Sequence, residues 1–233
     1  FAMPREKAIV VENSSNVTLS RCKIENSGTT GIDVSGGRKV IVEDSVVIDS
    51  GGSGVILSGG DRITLDAAGH SLRRSMVIGS GHALRTYHPS VSLNGVGNAV
   101  EDTLIEGAPH IAIGFAGNDH VITGNEITRA VTETSDAGAI YAGRDWTWRG
   151  TRIESNYLHN IRAALELSIN PGSKTRRAME VKGVYLDDML SGTMVMNNVF
   201  VRVDQPIFIG GGRDTLVKGN LFIASGQQAM FLD

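Results

Sequence analysis

Residues 31–37 read GIDVSGG, and residues 54–60 read GVILSGG. The two stretches lie 23 residues apart. Each opens on Gly, carries apolar residues at a spacing of two, and closes on paired Gly. That spacing puts both apolar side chains on one face of a strand. The pattern returns as SVSLNGVG from Ser90, HIAIGFAG from His110, GAIYAG from Gly138, GVYLDD from Gly183, PIFIGGG from Pro206 and AMFLD from Ala229. Aligned this way, the first apolar column is Ile32, Val55, Val91, Ile111, Ala139, Val184, Ile207 and Met230. The second is Val34, Leu57, Leu93, Ile113, Tyr141, Leu186, Ile209 and Leu232. Steps along the first column are 23, 36, 20, 28, 45, 23 and 23 residues. A base period near 23 with two long intervals is a coil repeat carrying insertions.

A second pattern falls midway through most coils: RCKI, DSVV, DTLI, GNEI, SNYL, NNVF and GNLF. Its polar column is Cys22, Ser45, Thr103, Asn125, Asn156, Asn198 and Asn220. Stacked Asn side chains hydrogen-bond from layer to layer, and Asn tolerates the left-handed conformation of tight turns. Coils of ~23 residues with two or three short strands and an Asn-rich turn predict an all-β chain, a right-handed parallel β-helix of about eight coils. A propeller blade needs about 40 residues and antiparallel hairpins, and a leucine-rich repeat needs a helical segment; neither pattern is present. Residues 1–233 read as one domain. Both ends fall inside a repeat, which predicts a fragment of a longer chain.

Composition excludes several functions. The formal net charge is −3, so no basic field points to nucleic acid. No apolar run approaches the ~20 residues of a membrane span. The single cysteine, Cys22, excludes an internal disulfide. Two insertions, about 66–89 and about 162–182, and a shorter extension DWTWRG from Asp145 interrupt the repeat. Loops inserted into a solenoid build binding surfaces.

Residues between the apolar columns point outward. On the last three coils these are Tyr185, Phe208 and Phe231, which predicts either a sugar-stacking strip or a face covered by a loop or a neighbouring domain. The next outward column is mostly small: Ser35, Ser58, Asn94, Gly114, Ala142, then Asp187, Gly210 and Asp233. Asp187 breaks that rule. Asp145 in GRDW, Asp188 in the same turn and Asp214 in GGGRD place acids near the downstream end of three consecutive coils. Adjacent coils set carboxylates roughly 5 Å apart and alternate coils roughly 10 Å, separations that bracket those of glycosidases. Such a cluster splits pKa values and supplies an acid beside an ionised partner. Asp145, Asp187 and Asp188 are therefore the catalytic candidates. An Asp turn ladder and a calcium site are the alternatives; no other cofactor is implied. Arg144 and Arg213 offer forked donors to a sugar or its carboxylate. Trp146 and Trp148 suit stacking or loop anchoring. Desolvation of Asp145 by those indoles is expected to raise its pKa and make it the general acid, with Asp214 in binding. Tyr185 and Phe208 complete the substrate-binding candidates. Glu133 and Asp136, in TETSDAG, lie about 16 Å upstream along the strand, which argues against partnership with Asp187 unless the groove runs along the strand. Glu166 suits either the groove or a structural strand. His88, His110 and His120 lack metal-ligand spacing and read as turn residues or as supports behind the site residues.

RTYHPSVSLNGVGN, GAPHIAIGFAGNDHVITGNEI, TETSDAGAIYAGRDWTWRG, GVYLDDMLSGTMVMNNVF and IFIGGGRDTLVKGNLFI together resemble bacterial parallel β-helix proteins of carbohydrate utilisation, in particular glycoside hydrolase family 141. The resemblance covers about residues 86–226. It implies an exported, periplasmic or extracellular glycan-degrading enzyme, with fucosidase- or xylanase-like activity and catalytic aspartates. By motif those are Asp145 and Asp187 or Asp188. Both insertions depart from the family, so the substrate does not transfer. A polysaccharide lyase on the same scaffold remains the alternative, with Arg144, Arg213 and the run Lys174–Arg177 facing a uronate. A glycan-binding β-helix without activity is the third reading.

Overall fold

The computed structural model describes residues 6–163, 166–168, 176–226 and 228–232. The Glu166 side chain, and of the run Lys174–Arg177 the first two residues and the side chains of the other two, together with Asp233, lie outside what is described.

Three parallel sheets run the length of the molecule, one of nine strands and two of eight. Each strand pairs with its counterpart one coil away, so every coil visits all three sheets in turn. This is a right-handed parallel β-helix, the hand that parallel crossovers take. The nine-stranded sheet starts at Ile9–Glu12, one coil ahead of the GIDVSGG stretch, and ends at Met230–Leu232. Strands of the other two sheets are mostly three residues long, and the middle residue turns inward. Val42, Leu72, Val100, Ile122, Ile153 and Val195 form one inward row; Val47, Val77, Ile105, Ile127, Leu158 and Phe200 form another. Each buried aliphatic or aromatic side chain contributes about 1.5–3 kcal/mol.

The observed register corrects the sequence alignment in two coils. Ile113 pairs with Val91, and Ile140 pairs with Ile113 and Val184. The inward columns therefore run through Ile113 and Phe115, then Ile140 and Ala142. Both GAIYAG and HIAIGFAG offer apolar alternation in more than one frame. Packing selects the frame that keeps the phenol of Tyr141 out of a core with no partner for it. Tyr141 joins the outward column instead, beside Tyr185.

The first insertion also divides. Ser71–Arg73 and Met76–Ile78 are regular strands of this coil. The extra residues are two loops, about 60–67 and 79–90. Within the second insertion, Glu166–Ser168 pairs antiparallel with Arg176–Ala178, and Val181 already opens the next long strand.

The polar column forms a ladder that also takes in Ser75. Asn125, Asn156 and Asn198 each donate from backbone N and Nδ2 to the next coil's Asn Oδ1, at 2.9–3.0 Å. The residue ahead of each ladder position takes the positive φ: Asp102, Gly124, Ser155, Asn197 and Gly219, at 46–69°. The ladder Asn itself is chosen for its amide, not for left-handed backbone. A second buried ladder joins Val40, His70, Asn98, His120 and Thr151. His120 is thus a turn residue.

Gly95 and Gly117 stack on Gly59 with φ of 98° and 113°. A Cβ on Gly117 would lie 2.0 Å from the Gly95 carbonyl oxygen. Gly117→Ala is expected to destabilise by about 2–4 kcal/mol through strain and overpacking. At Gly107 the nearest atom would stand 3.6 Å away, so Gly107→Ala should cost only about 1 kcal/mol. Denaturant midpoints compare the two; equal losses would show that close coil approach is not the cause.

Candidate functional site

GVYLDD ends the strand Val181–Asp187, and its two adjacent acids have opposite surroundings. Asp187 is buried, at 9% exposure. It faces Gly143 of the preceding coil, where a Cβ would come within 2.6 Å of its own. The small residue makes room for the acid. The Tyr141 hydroxyl donates to Asp187 Oδ2 at 2.9 Å, and the Asp188 amide donates to Oδ1 at 3.0 Å. Asp188 turns outward with positive φ, and its carboxylate lies 3.4 Å from Arg144 Nε. The same Nε stands 3.9 Å from Asp187.

Tyr141 and Arg144 line two adjoining spaces on the outer face of the nine-stranded sheet. One is an open groove of about 560 Å³. Its floor is Ser92, Asn94, Gly114, Ala116 and Gly143; its walls include Tyr87, Pro89 and Trp148. The other is a cavity of about 30 Å³ bounded by Asp136, Asp187, His110 and Tyr87 as well. That is about the volume one water occupies. Small floor residues and the loop carrying Tyr87 shape the groove, so the smaller outward column was legible from sequence even though its frame was not.

Asp136 is brought to the same cavity as Asp187, contrary to the distance expected from strand counting. The chain passes close to Tyr185 at Gly138, where a Cβ would come within 2.5 Å of the Tyr185 Cβ. The Tyr185 hydroxyl donates to Asp136 Oδ1 at 3.1 Å, and Lys182 Nζ lies 2.7 Å from the same oxygen. The Lys182 hydrogen bond, ahead of opposing desolvation, holds Asp136 below the usual carboxylate range. Burial, then the hydrogen bond to Asp187, pushes Tyr141 up to about 12. Burial first, with Asp187 and Asp136 nearby, also raises Tyr185 well above the ordinary phenol range. Burial lowers His110, which keeps its ring neutral at pH 7. Its Nδ1 accepts from the Tyr87 amide at 3.0 Å.

The remaining candidates are placed differently from expectation. Asp145 lies on the surface, accepting from the Thr147 amide at 2.8 Å and its hydroxyl at 2.6 Å. These bonds lower its pKa. The expected indole shielding is absent: Trp146 is exposed, and Trp148 packs against the core beneath Arg62, 5.9 Å away. Asp214 pairs with Arg149 at 2.6 Å in a separate groove of about 830 Å³. Arg213 lies 6.0 Å over Trp146, and both line a shallow depression with Met189 and Ser191. Tyr185 is buried, with Tyr141 and Phe208 edge-on at 5.4 and 4.8 Å. Phe208 stacks in turn on Phe231 at 5.0 Å. The aromatic column is thus packed on itself, and Tyr185 offers no face to a sugar. Among the described residues, no group of three His, Cys, Asp or Glu converges as a metal site. No helix is long and apolar enough to cross a membrane among them either.

Tyr141, Asp136 and Lys182 are the residues that sequence reasoning left out. Tyr141 was hidden by the frame of GAIYAG. Alternation from Val184 places Lys182 on the core side of its strand. Its ammonium instead lies 4.1 Å from the Tyr185 ring and 4.8 Å from Phe208.

Fold and groove define a right-handed parallel β-helix with a carboxylate-lined depression on one face. Comparison with known proteins agrees on the fold. A family model described as "Right handed beta helix region" matches residues 7–68. A solved structure described as a glycoside hydrolase is similar over 96% of this chain and 38% of its own, with a TM-score of 0.58 and 16% identity. PfbA, a surface adhesin of Streptococcus pneumoniae, is similar over 95% of this chain and 63% of its own, with a TM-score of 0.51 and 13% identity. The chain therefore spans less than two thirds of either. Identities this low carry the fold alone. No curated protein sequence matches the chain.

Proposed function

We propose that this β-helix is the catalytic scaffold of a glycoside hydrolase, exported to act on a complex polysaccharide. The observation that carries the reading is Asp187, a buried carboxylate bordering the small cavity, oriented by Tyr141 and faced by Arg144, two residues that also line the open groove. A glycosidase needs a carboxylate held in a defined geometry beside a space for a sugar. Groove walls of Tyr87 and Trp148 and a floor of Ser92 and Asn94 suit sugar faces and hydroxyls. The resemblance to family 141 and the glycoside hydrolase among the structural neighbours support the same reading. Asp145 serves the loop that carries Trp146 and Trp148, and Asp214 with Arg149 borders the second groove.

One observation favours a lyase as second reading. The Arg144 side chain is 74% exposed at the head of the groove, where its fork would meet a uronate carboxylate. The test is incubation with a panel of neutral and uronate-containing polysaccharides, with reducing ends and unsaturated-uronate absorbance both followed. New reducing ends without that absorbance are expected. Absorbance would replace hydrolysis by elimination. Binding with neither signal would make the protein a glycan-binding β-helix without activity.

A further inference from the structure

Among the described residues Lys182 is the largest fully buried side chain, at 1% exposure, and it ends in an ammonium. Burying an ammonium is costly unless it is paired. Its pairing is unequal. Glu180 lies 3.5 Å away, whereas Asp136, its side chain 68% exposed, lies 2.7 Å away and borders the cavity shared with Asp187. Two ring faces, Tyr185 and Phe208, hold the ammonium from the other side. A lysine kept only for stability would be replaceable by an apolar residue of similar length. This one is aimed at a carboxylate that borders the candidate site.

Building on the hydrolase reading, we propose that Asp136 is the carboxylate partner of Asp187, and that Lys182 is the positioning residue that fixes Asp136 and keeps it ionised. The two acids border one cavity of about 30 Å³. Tyr141 donates to Asp187, and Tyr185 donates to Asp136 while also lying close to Asp187, so the Tyr185 phenol links the two acids. With Lys182 beside one acid only, the environments of the two differ, which is how paired carboxylates divide base and acid roles. Asp136, held by the Lys182 ammonium, is the ionised member of the pair. Among the described residues, the other groups facing Asp136 are Arg144, whose charge also lowers its pKa, Tyr185, and across the cavity the neutral His110. Glu180 faces Lys182.

The test follows the Asp136 side-chain carboxyl by carbon-13 NMR titration in the wild-type chain and in Lys182→Met. The pKa of Asp136 should rise by about one unit or more when the ammonium is removed. Tyr185→Phe, which deletes one donor and no charge, should move it the same way by less; it stands in should Lys182→Met fail to fold. The acid limb of the pH–rate profile should shift upward with the titration. In an Asp136→Asn background, Lys182→Met should lower kcat far less than it does in the wild-type background, because the lysine acts chiefly through Asp136. An unmoved Asp136 titration overturns the anchor, whatever the activity. Equal rate losses at every pH, persisting in the Asp136→Asn background, would make Lys182 a structural residue only. A shifted titration with no hydrolysis of any glycan would leave the anchor standing and overturn the catalytic assignment together with the hydrolase reading.

Discussion

Asp187→Asn should lower turnover by about 10²–10⁴-fold, the range lost when a positioned acid or base is removed, while the fold stays intact. Asn has nearly the shape of Asp and fits beside Gly143. Its Oδ1 keeps the Asp188 amide bond, and its Nδ2 donates to the Tyr141 hydroxyl in place of the bond that Tyr141 now makes. Two charge-assisted hydrogen bonds become neutral ones, a change of about 1–2 kcal/mol in stability. Activity and denaturation midpoint therefore part company. Asp188→Asn is the control. That carboxylate is 59% exposed and contacts only Arg144 among its charged neighbours, so its rate should stay within about threefold of wild type, as for surface charges generally. If the two variants lose activity equally, the assignment of Asp187 rather than its neighbour fails. If Asp187→Asn keeps more than a tenth of the rate, the site lies elsewhere on the solenoid.

The largest loss of stability is expected in the Asn ladder, far from the chemistry. Asn156 occupies the middle of the run. Its Oδ1 accepts from both the backbone and side-chain nitrogens of Asn125. Its Nδ2 donates to the Ile122 carbonyl at 2.9 Å and to Asn198 Oδ1 at 3.0 Å. Asn156 is 1% exposed, so water does not replace these partners. Asn156→Ala leaves two donors and one carbonyl without their bond, each costing about 1–3 kcal/mol, for about 3–6 kcal/mol together after relaxation. Asn156→Asp keeps the acceptor, but its second oxygen faces the Ile122 carbonyl and Asn198 Oδ1 without a proton to offer. It should be destabilised by a similar amount near neutral pH and recover as acid protonates it. Equilibrium unfolding of the two variants across pH decides the matter. A loss under 1 kcal/mol for Asn156→Ala would mean that the ladder decorates the turn without holding it.

The repeat itself was legible because a β-helix is nearly one-dimensional: each coil contacts its neighbours, so period, alternation and turn chemistry are all local. Spacing of two named Ile32 and Val34, Val55 and Leu57, Val184 and Leu186 as core, and they are core. The four Asn of the ladder were legible for the same reason. Their turns place a small polar residue at one recurrent offset, and the stack repeats the same bonds. Register within a coil was less secure, because GAIYAG and HIAIGFAG are apolar in two frames. Only packing against Val91 and Val184 selected Ile113 and Ile140.

The site belongs to the other category. Asp187 was visible as a large acid in a column of small residues, a local signal. Its difference from Asp188 was not, since one residue of strand alternation and a turn decide which carboxylate is buried. Asp145 showed the opposite failure: the neighbouring indoles in the sequence point elsewhere, and Thr147 takes the carboxylate instead. The meeting of Asp136 with the Asp187 cavity, through Lys182 and Tyr185, is a tertiary event. It depends on the close pass of the chain at Gly138 and on where long side chains end rather than where they start. Periodicity records backbone spacing and therefore the scaffold. A site is made by the tips of side chains from different coils, and the loops and packing that direct those tips have no period.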